Sequence, residues 1–105
     1  MFIKYNEYDL LELFENEPVI ITHQDAGEFN YTYEDNQNFK LILTLEVYQK
    51  TCGLSITYND CIVFAGDFIN VTRIKKADKH SMVIFVENEE KVRVKFSKQV
   101  GIELL

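Results

Sequence analysis

The sequence predicts an α+β fold, mainly antiparallel β, in the form of a sandwich, a partly closed barrel or a curved sheet of about seven to eight strands, with one N-terminal helix. Three observations carry this. An amphipathic helical stretch precedes Pro18, two-residue hydrophobic alternation follows it, and turn residues recur about every eight to twelve residues. No alternating βαβ pattern is present, which argues against a Rossmann or P-loop fold. The 105 residues fit a single domain over 1–105. A chain of this length buries roughly two-thirds of its unfolded surface. With 47% hydrophobic and 13% aromatic residues, it has the material for one core without metal or disulfide.

Asn6 is placed to cap the helix, and Asp9 three positions on completes a box-like pair. Leu10, Leu11, Leu13 and Phe14 share one arc of the helical wheel, and Asp9, Glu12 and Glu15 share the other. Glu7 and Asp9 suit the positive N-terminal end of the helix dipole. Pro18 is expected to stop the helix, because the residue before a proline avoids the α region. Val19–Thr22 then reads as a short β-branched strand and Asp25–Gly27 as a turn. Phe29, Tyr31 and Tyr33 alternate with Asn30 and Thr32, and residues 34–38 form a polar loop.

Phe39–Gln49 is the longest predicted strand. Leu41, Leu43, Leu45 and Val47 mark one face, and the other face is half apolar, so the strand is expected at the centre of a sheet. A turn over Gln49–Gly53 leads to a return strand with Leu54, Ile56 and Tyr58. Tyr58-Asn59-Asp60-Cys61 reads as a tight hairpin turn. Cys61–Ala65 is another strand, punctuated by Gly66-Asp67, and Phe68–Lys75 a further one. After a polar turn at Ala77–His80, Met82–Glu87 and Lys91–Ser97 make a hairpin in which Val92, Val94 and Phe96 alternate with Arg93 and Lys95. Val100–Leu105 could add one more edge strand.

Charge narrows the function. The formal net charge is −6 and the pI about 4.8, which disfavours a free-standing nucleic-acid binder. Residues 1–60 hold eleven acids and three bases, and residues 61–105 six acids and eight bases. Phosphate-binding loops are excluded, since Gly27, Gly53, Gly66 and Gly101 are too widely spaced. No cofactor or metal is expected, because Cys52, Cys61, His23 and His80 lack zinc-ligand spacing. The hairpin register places Cys61 opposite Tyr58 and Cys52 about 20 Å along its strand. A disulfide needs Cα atoms within roughly 7 Å, so both cysteines are read as free thiols. Cys61 is expected as a small core residue and Cys52 in a turn.

Other constellations give little chemistry. The carboxylate pairs Glu34-Asp35 and Glu89-Glu90 fall in predicted loops and read as solvated turn residues. Arg73, Lys75, Lys76 and Lys79, with Arg93, Lys95 and Lys98, would form a basic patch if their strands adjoin. No secretory signal is legible in Met1–Tyr8, and no apolar stretch nears the ~20 residues of a membrane span. A cytoplasmic, non-enzymatic protein without nucleic-acid or membrane partners is the expectation. The acid-rich half also carries all six tyrosines. Tyrosine supplies stiff contact area and carboxylates steer a basic partner, so this half reads as a protein-binding surface. An ordinary solubilising surface has the same ingredients.

The opening Met1–Phe14, MFIKYNEYDLLELF, resembles the short acidic lead helix of small immunity proteins of bacterial polymorphic and contact-dependent toxin systems, as found in low-GC Gram-positive bacteria. The β-rich remainder, with Val71-Thr72-Arg73-Ile74 and Lys91-Val92-Arg93-Val94-Lys95-Phe96, is similar in layout. This resemblance implies a stoichiometric inhibitor that binds a cognate toxin domain inside the producing cell. A basic nuclease toxin would suit it, carboxylates taking the place of phosphates. Glu12, Glu15, Asp25, Glu28, Glu34 and Asp35 are then the expected contacts, with Tyr31 and Tyr33 as anchors. The alternative is a structural or interaction module, homo-oligomeric through an exposed strand edge.

Overall fold

The computed structural model describes residues 2–96 and 100–105. Helix α1 spans Glu7–Phe14, and nine strands follow: β1 (Val19–Ile20), β2 (Glu28–Glu34), β3 (Phe39–Glu46), β4 (Thr51–Tyr58), β5 (Cys61–Phe68), β6 (Val71–Asp78), β7 (Ser81–Val86), β8 (Glu89–Lys95) and β9 (Gly101–Leu104). A 3-10 turn at Gln24–Ala26 lies between β1 and β2. All strand pairs are antiparallel, in a five-stranded sheet ordered β1-β2-β3-β4-β5 and a four-stranded sheet ordered β6-β7-β8-β9. Neither sheet closes into a barrel.

The helix starts as the sequence predicts. The Asn6 side chain accepts from the N–H groups of Tyr8 and Asp9, satisfying two donors that the first turn leaves open. The return arm of the box is not among the hydrogen bonds of the described residues. The helix ends before Pro18 can act. Glu15 takes the left-handed conformation at φ 59°, and its N–H donates to the Leu11 carbonyl, closing the last turn.

Strand β3 is central, as expected from one apolar and one half-apolar face. Leu41, Leu43 and Leu45 are buried and join Leu54 and Ile56 of β4, Tyr31 of β2, Met82 and Ile84 of β7, and Val92 and Val94 of β8 in one cluster. Leu10, Leu13 and Phe14 of α1 complete it. Fully burying one such side chain is worth about 1.5–3 kcal/mol. Phe14 joins the sheets, its ring 5.3 Å from Tyr31 of β2 and 5.0 Å from Phe96 beyond β8. The N-terminal segment joins them again. The Ile3 N–H donates to the Val47 carbonyl, while Lys4 exchanges backbone bonds with Thr72 and Ile74 of β6.

Several boundaries differ from the sequence reading: the strand expected over Val19–Thr22 ends at Ile20, the one expected over Phe68–Lys75 is Val71–Asp78, and three further differences concern turns. The turn after β3 lies at residues 47–50, with Lys50 at φ 61°, so Cys52 and Gly53 belong to β4. A Cβ at Gly53 would meet the Asp67 Oδ1 of β5 at 2.9 Å, so any larger residue there would displace that carboxylate. Strand β5 continues through Gly66, where a Cβ would crowd the Phe64 ring at 3.3 Å. Gly66 therefore makes room between aromatics and does not turn the chain. The break falls at Ile69-Asn70, with Asn70 at φ 57°, and there the chain changes sheets. Glu89 and Glu90 lie in β8 and not in a loop, the turn before them being Glu87-Asn88 with φ 52° and 67°. Ser97, expected at the end of that strand, lies outside the described residues. The hairpin at Tyr58–Cys61 forms as read, Tyr58 pairing Cys61.

Both cysteines are free, but their places are exchanged relative to expectation. Cys52 is buried and Cys61 exposed. Cys61 opens an edge strand whose first three residues face solvent, so an apolar run alone did not bring it into the core.

Candidate protein-binding surface

Alternation along β2 decides which predicted site residues reach solvent. Phe29, Tyr31 and Tyr33 pack toward the core, so Glu28, Asn30, Thr32 and Glu34 face outward. Tyr31 is only 2% exposed and cannot present a contact face, which removes it as an anchor. Tyr33 stacks edge-on against Phe96 at 5.2 Å, and its hydroxyl donates to the Phe96 carbonyl. It joins the two sheets and is only partly open to a partner.

The predicted acids divide into three places. Glu15, Glu34 and Asp35 gather with Tyr33 around a cleft of about 310 Å³ beyond the helix C-terminus. Burial, with Glu15 and Asp35 nearby, raises the pKa of the Tyr33 phenol. Asp35 itself is committed to backbone. Its Oδ1 accepts from the Gln37 and Phe39 N–H groups and its Oδ2 from the Val100 N–H, so it is an architectural residue here and not a free contact. Glu34 lies 3.7 Å from Lys40. Asp25 and Glu28 lie toward the other end of β2, where Glu28 accepts from the Thr22 hydroxyl. Glu12 is held by Lys76 at 3.0 Å. The six acids therefore do not form one patch by themselves.

A larger feature lies on the outer face of the five-stranded sheet. Cross-strand pairing sets Glu28 beside Glu46 and Thr51, Asn30 beside Thr44, Gly53 and Asp67, and Thr32 beside Ile42, Ser55 and Ala65. These small and hydroxylated residues leave a cleft of about 620 Å³ between Ile42, Glu46, Gly53, Ser55, Asp67 and Ile69. Its charged lining residues, Glu46 and Asp67, are both acids. Sequence reasoning missed Glu46, Asp67 and the cleft. The signal was present, since the same period of two that placed Leu41, Leu43 and Leu45 inward also separates Tyr31 and Tyr33 from Glu28 and Glu34.

The basic residues do adjoin. Arg73 and Lys75 of β6 and Arg93 and Lys95 of β8 flank Ser81, Val83 and Phe85 of β7 on the outer face of the four-stranded sheet, Lys75 and Arg93 both pairing Val83, Arg73 pairing Phe85 and Lys95 pairing Ser81. Arg73 sits 5.5 Å over the Phe85 ring, and Arg93 lies 3.8 Å from Glu103. Lys76 pairs the inward residue Met82, which turns it toward Glu12 instead. Lys98 lies outside the described residues.

The groups considered for chemistry do not assemble. His23 and His80 are exposed, and among the described residues no three His, Cys, Asp or Glu side chains gather as metal ligands. Burial, with Asp67 adding to it, pushes the Cys52 thiol up to about 12, so it is a neutral thiol at physiological pH and a poor nucleophile. No helix among the described residues is long and apolar enough to cross a membrane.

No protein-family model matches the sequence, and no curated protein matches it. A solved structure does. The match is to a contact-dependent growth inhibition toxin–immunity protein complex from Klebsiella pneumoniae 342, with a TM-score of 0.81 and 16% identity, covering 98% of this chain and 96% of the other. The fold of this protein is thus shared over almost the whole length of both chains with a component of that toxin–immunity protein complex.

Proposed function

We propose that this protein is a non-enzymatic immunity protein that binds a cognate, basic toxin domain one-to-one and blocks it inside the cell that makes both. The full-length structural match carries the reading. The outer face of the five-stranded sheet is the favoured docking surface. Its cleft is acidic, it is not filled by its own side chains, and Glu28, Glu46 and Asp67 would meet lysine or arginine on the partner. Glu34 and Glu15 extend the negative field beyond one end of the sheet.

The test is to mix the purified protein with the toxin domain encoded by a neighbouring gene. A one-to-one complex that abolishes toxin activity and weakens as salt rises is expected. Absence of a complex overturns the reading. One observation favours the alternative of a self-associating module. Strand β5 is an edge with Ile62 and Val63 exposed, and such edges pair readily. That alternative predicts a dimer by light scattering without any toxin.

A further inference from the structure

Three exposed aromatics gather away from the sheet cleft. Phe2 is 53%, Tyr8 70% and Tyr48 61% exposed. They come from three separate pieces of chain, the N-terminal segment, the first turn of α1 and the β3–β4 turn. The Ile3–Val47 backbone bond draws these pieces together, and the Tyr48 ring lies over Gly27. Two depressions result and meet at Tyr5. One, of about 460 Å³, lies between Phe2, Lys4, Tyr5 and Tyr48. The other, of about 440 Å³, lies between Tyr5, Glu7 and Tyr8.

Burial, with Glu7 and Tyr48 adding to it, raises the pKa of the Tyr5 phenol. The neutral Tyr5 phenol, where the two depressions meet, thus lies within electrostatic reach of the Glu7 carboxylate. Lys4 is the one base lining the groove, against Glu7 at its mouth and Asp9 in the same helical turn. Residues 1–18 hold five acids and one base. Aromatic faces with a nearby carboxylate favour a flat cation, which stacks on the rings while donating to the carboxylate. A guanidinium meets that description better than an ammonium, because it is planar and more weakly hydrated.

We propose that this aromatic groove takes an arginine-bearing segment of the toxin, as a second anchoring point beside the acidic sheet face. The proposal rests on the inhibitor reading, and the experiment separates the two. In an NMR titration of the full chain with N-acetyl-arginine amide, the ring signals of Phe2, Tyr5, Tyr8 and Tyr48 shift saturably. They shift far less with the uncharged N-acetyl-norleucine amide. Equal shifts from both compounds, or shifts spread over the whole acidic surface, overturn the groove as a cation site. In the second arm, the Phe2→Ala/Tyr48→Ala variant binds the neighbouring gene's toxin domain about tenfold more weakly or worse, as loss of a buried aromatic anchor does. Equal binding by wild type and variant overturns the groove and leaves the inhibitor reading standing. Failure of the wild-type protein to bind that domain overturns the inhibitor reading itself.

Discussion

The two sheets share one core but show solvent opposite faces in both charge and relief. Residues 19–70, which build the five-stranded sheet, carry seven acids against two bases, while residues 71–105 carry eight bases against five acids. On the basic sheet, Arg73, Lys75, Arg93 and Lys95 are long. The outward Val83, flanked by Lys75 and Arg93, is only 3% exposed, as expected where amphipathic stems lie over an apolar neighbour. At the middle of the acidic sheet the outward residues include Thr44, Gly53, Ser55 and Ala65, which are too short to fill the space between Ile42, Glu46 and Asp67. The same alternating strand pattern therefore yields one face closed by its own side chains and one left open. The open face is the one with charge suited to a basic protein.

The widest contrast to test lies within the acidic sheet, between its buried centre and its exposed edge. Exposed Cys61 reacts with a thiol reagent in the native protein, whereas Cys52 reacts only on unfolding, at least about a hundredfold more slowly. Counting modified thiols before and after denaturation checks this. The thiol also predicts a pH trend. The raised pKa of Cys52 favours the folded state fully below pH 9, its ordinary value, and that contribution is lost as pH rises from 9 to about 12. Stability in denaturant melts should accordingly fall over that window, and Cys52→Ala should flatten the fall.

Whether the sheets are separate units is tested at Phe14, which touches both. Phe14→Ala should cost about 3–5 kcal/mol and lower one common transition, followed by circular dichroism and by hydrogen exchange in each sheet. A four-stranded sheet that keeps its protection would break the view of one shared core. Asp35 joins the β2–β3 loop to the chain before β9, and Asp35→Ala should cost about 1.5–3 kcal/mol, read by the same melts.

Charge reversal sharpens the comparison of the outer faces. Glu28→Lys with Asp67→Lys should weaken toxin binding about tenfold to a hundredfold, or ~1.4–2.8 kcal/mol. Lys75→Glu with Lys95→Glu should leave affinity in calorimetry nearly unchanged. Equal losses on both faces would remove the distinction. The smallest effect is expected where the two charge regions already meet. Glu12→Gln breaks an exposed pair with Lys76 and should change stability by at most about 1 kcal/mol in the same melts.

Much of this architecture is legible in the order of the amino acids. The Asn6 cap, the apolar arc of α1, central β3, the Tyr58–Cys61 hairpin and the Val92–Val94–Phe96 face all follow from local pattern. The errors have a common form. Gly53 and Gly66 read as turns but lie inside strands, beside the Asp67 carboxylate and between the Phe64 and Phe68 rings. Cys52 and Cys61 exchanged places because burial depended on which strand became an edge. Tyr31 and Tyr33 read as anchors because the acids beside them in sequence point the other way in space.

Local pattern suffices for whatever depends on neighbours within a few residues, namely element type, inward side, caps, tight turns and the division of charge along the chain. It does not reach the change of sheets at Asn70, the edge position of β5, or the meeting of Phe2, Tyr5, Tyr8 and Tyr48 at one groove. Those outcomes turn on contacts between distant segments, and a contact between distant segments is set by how the whole core fills space.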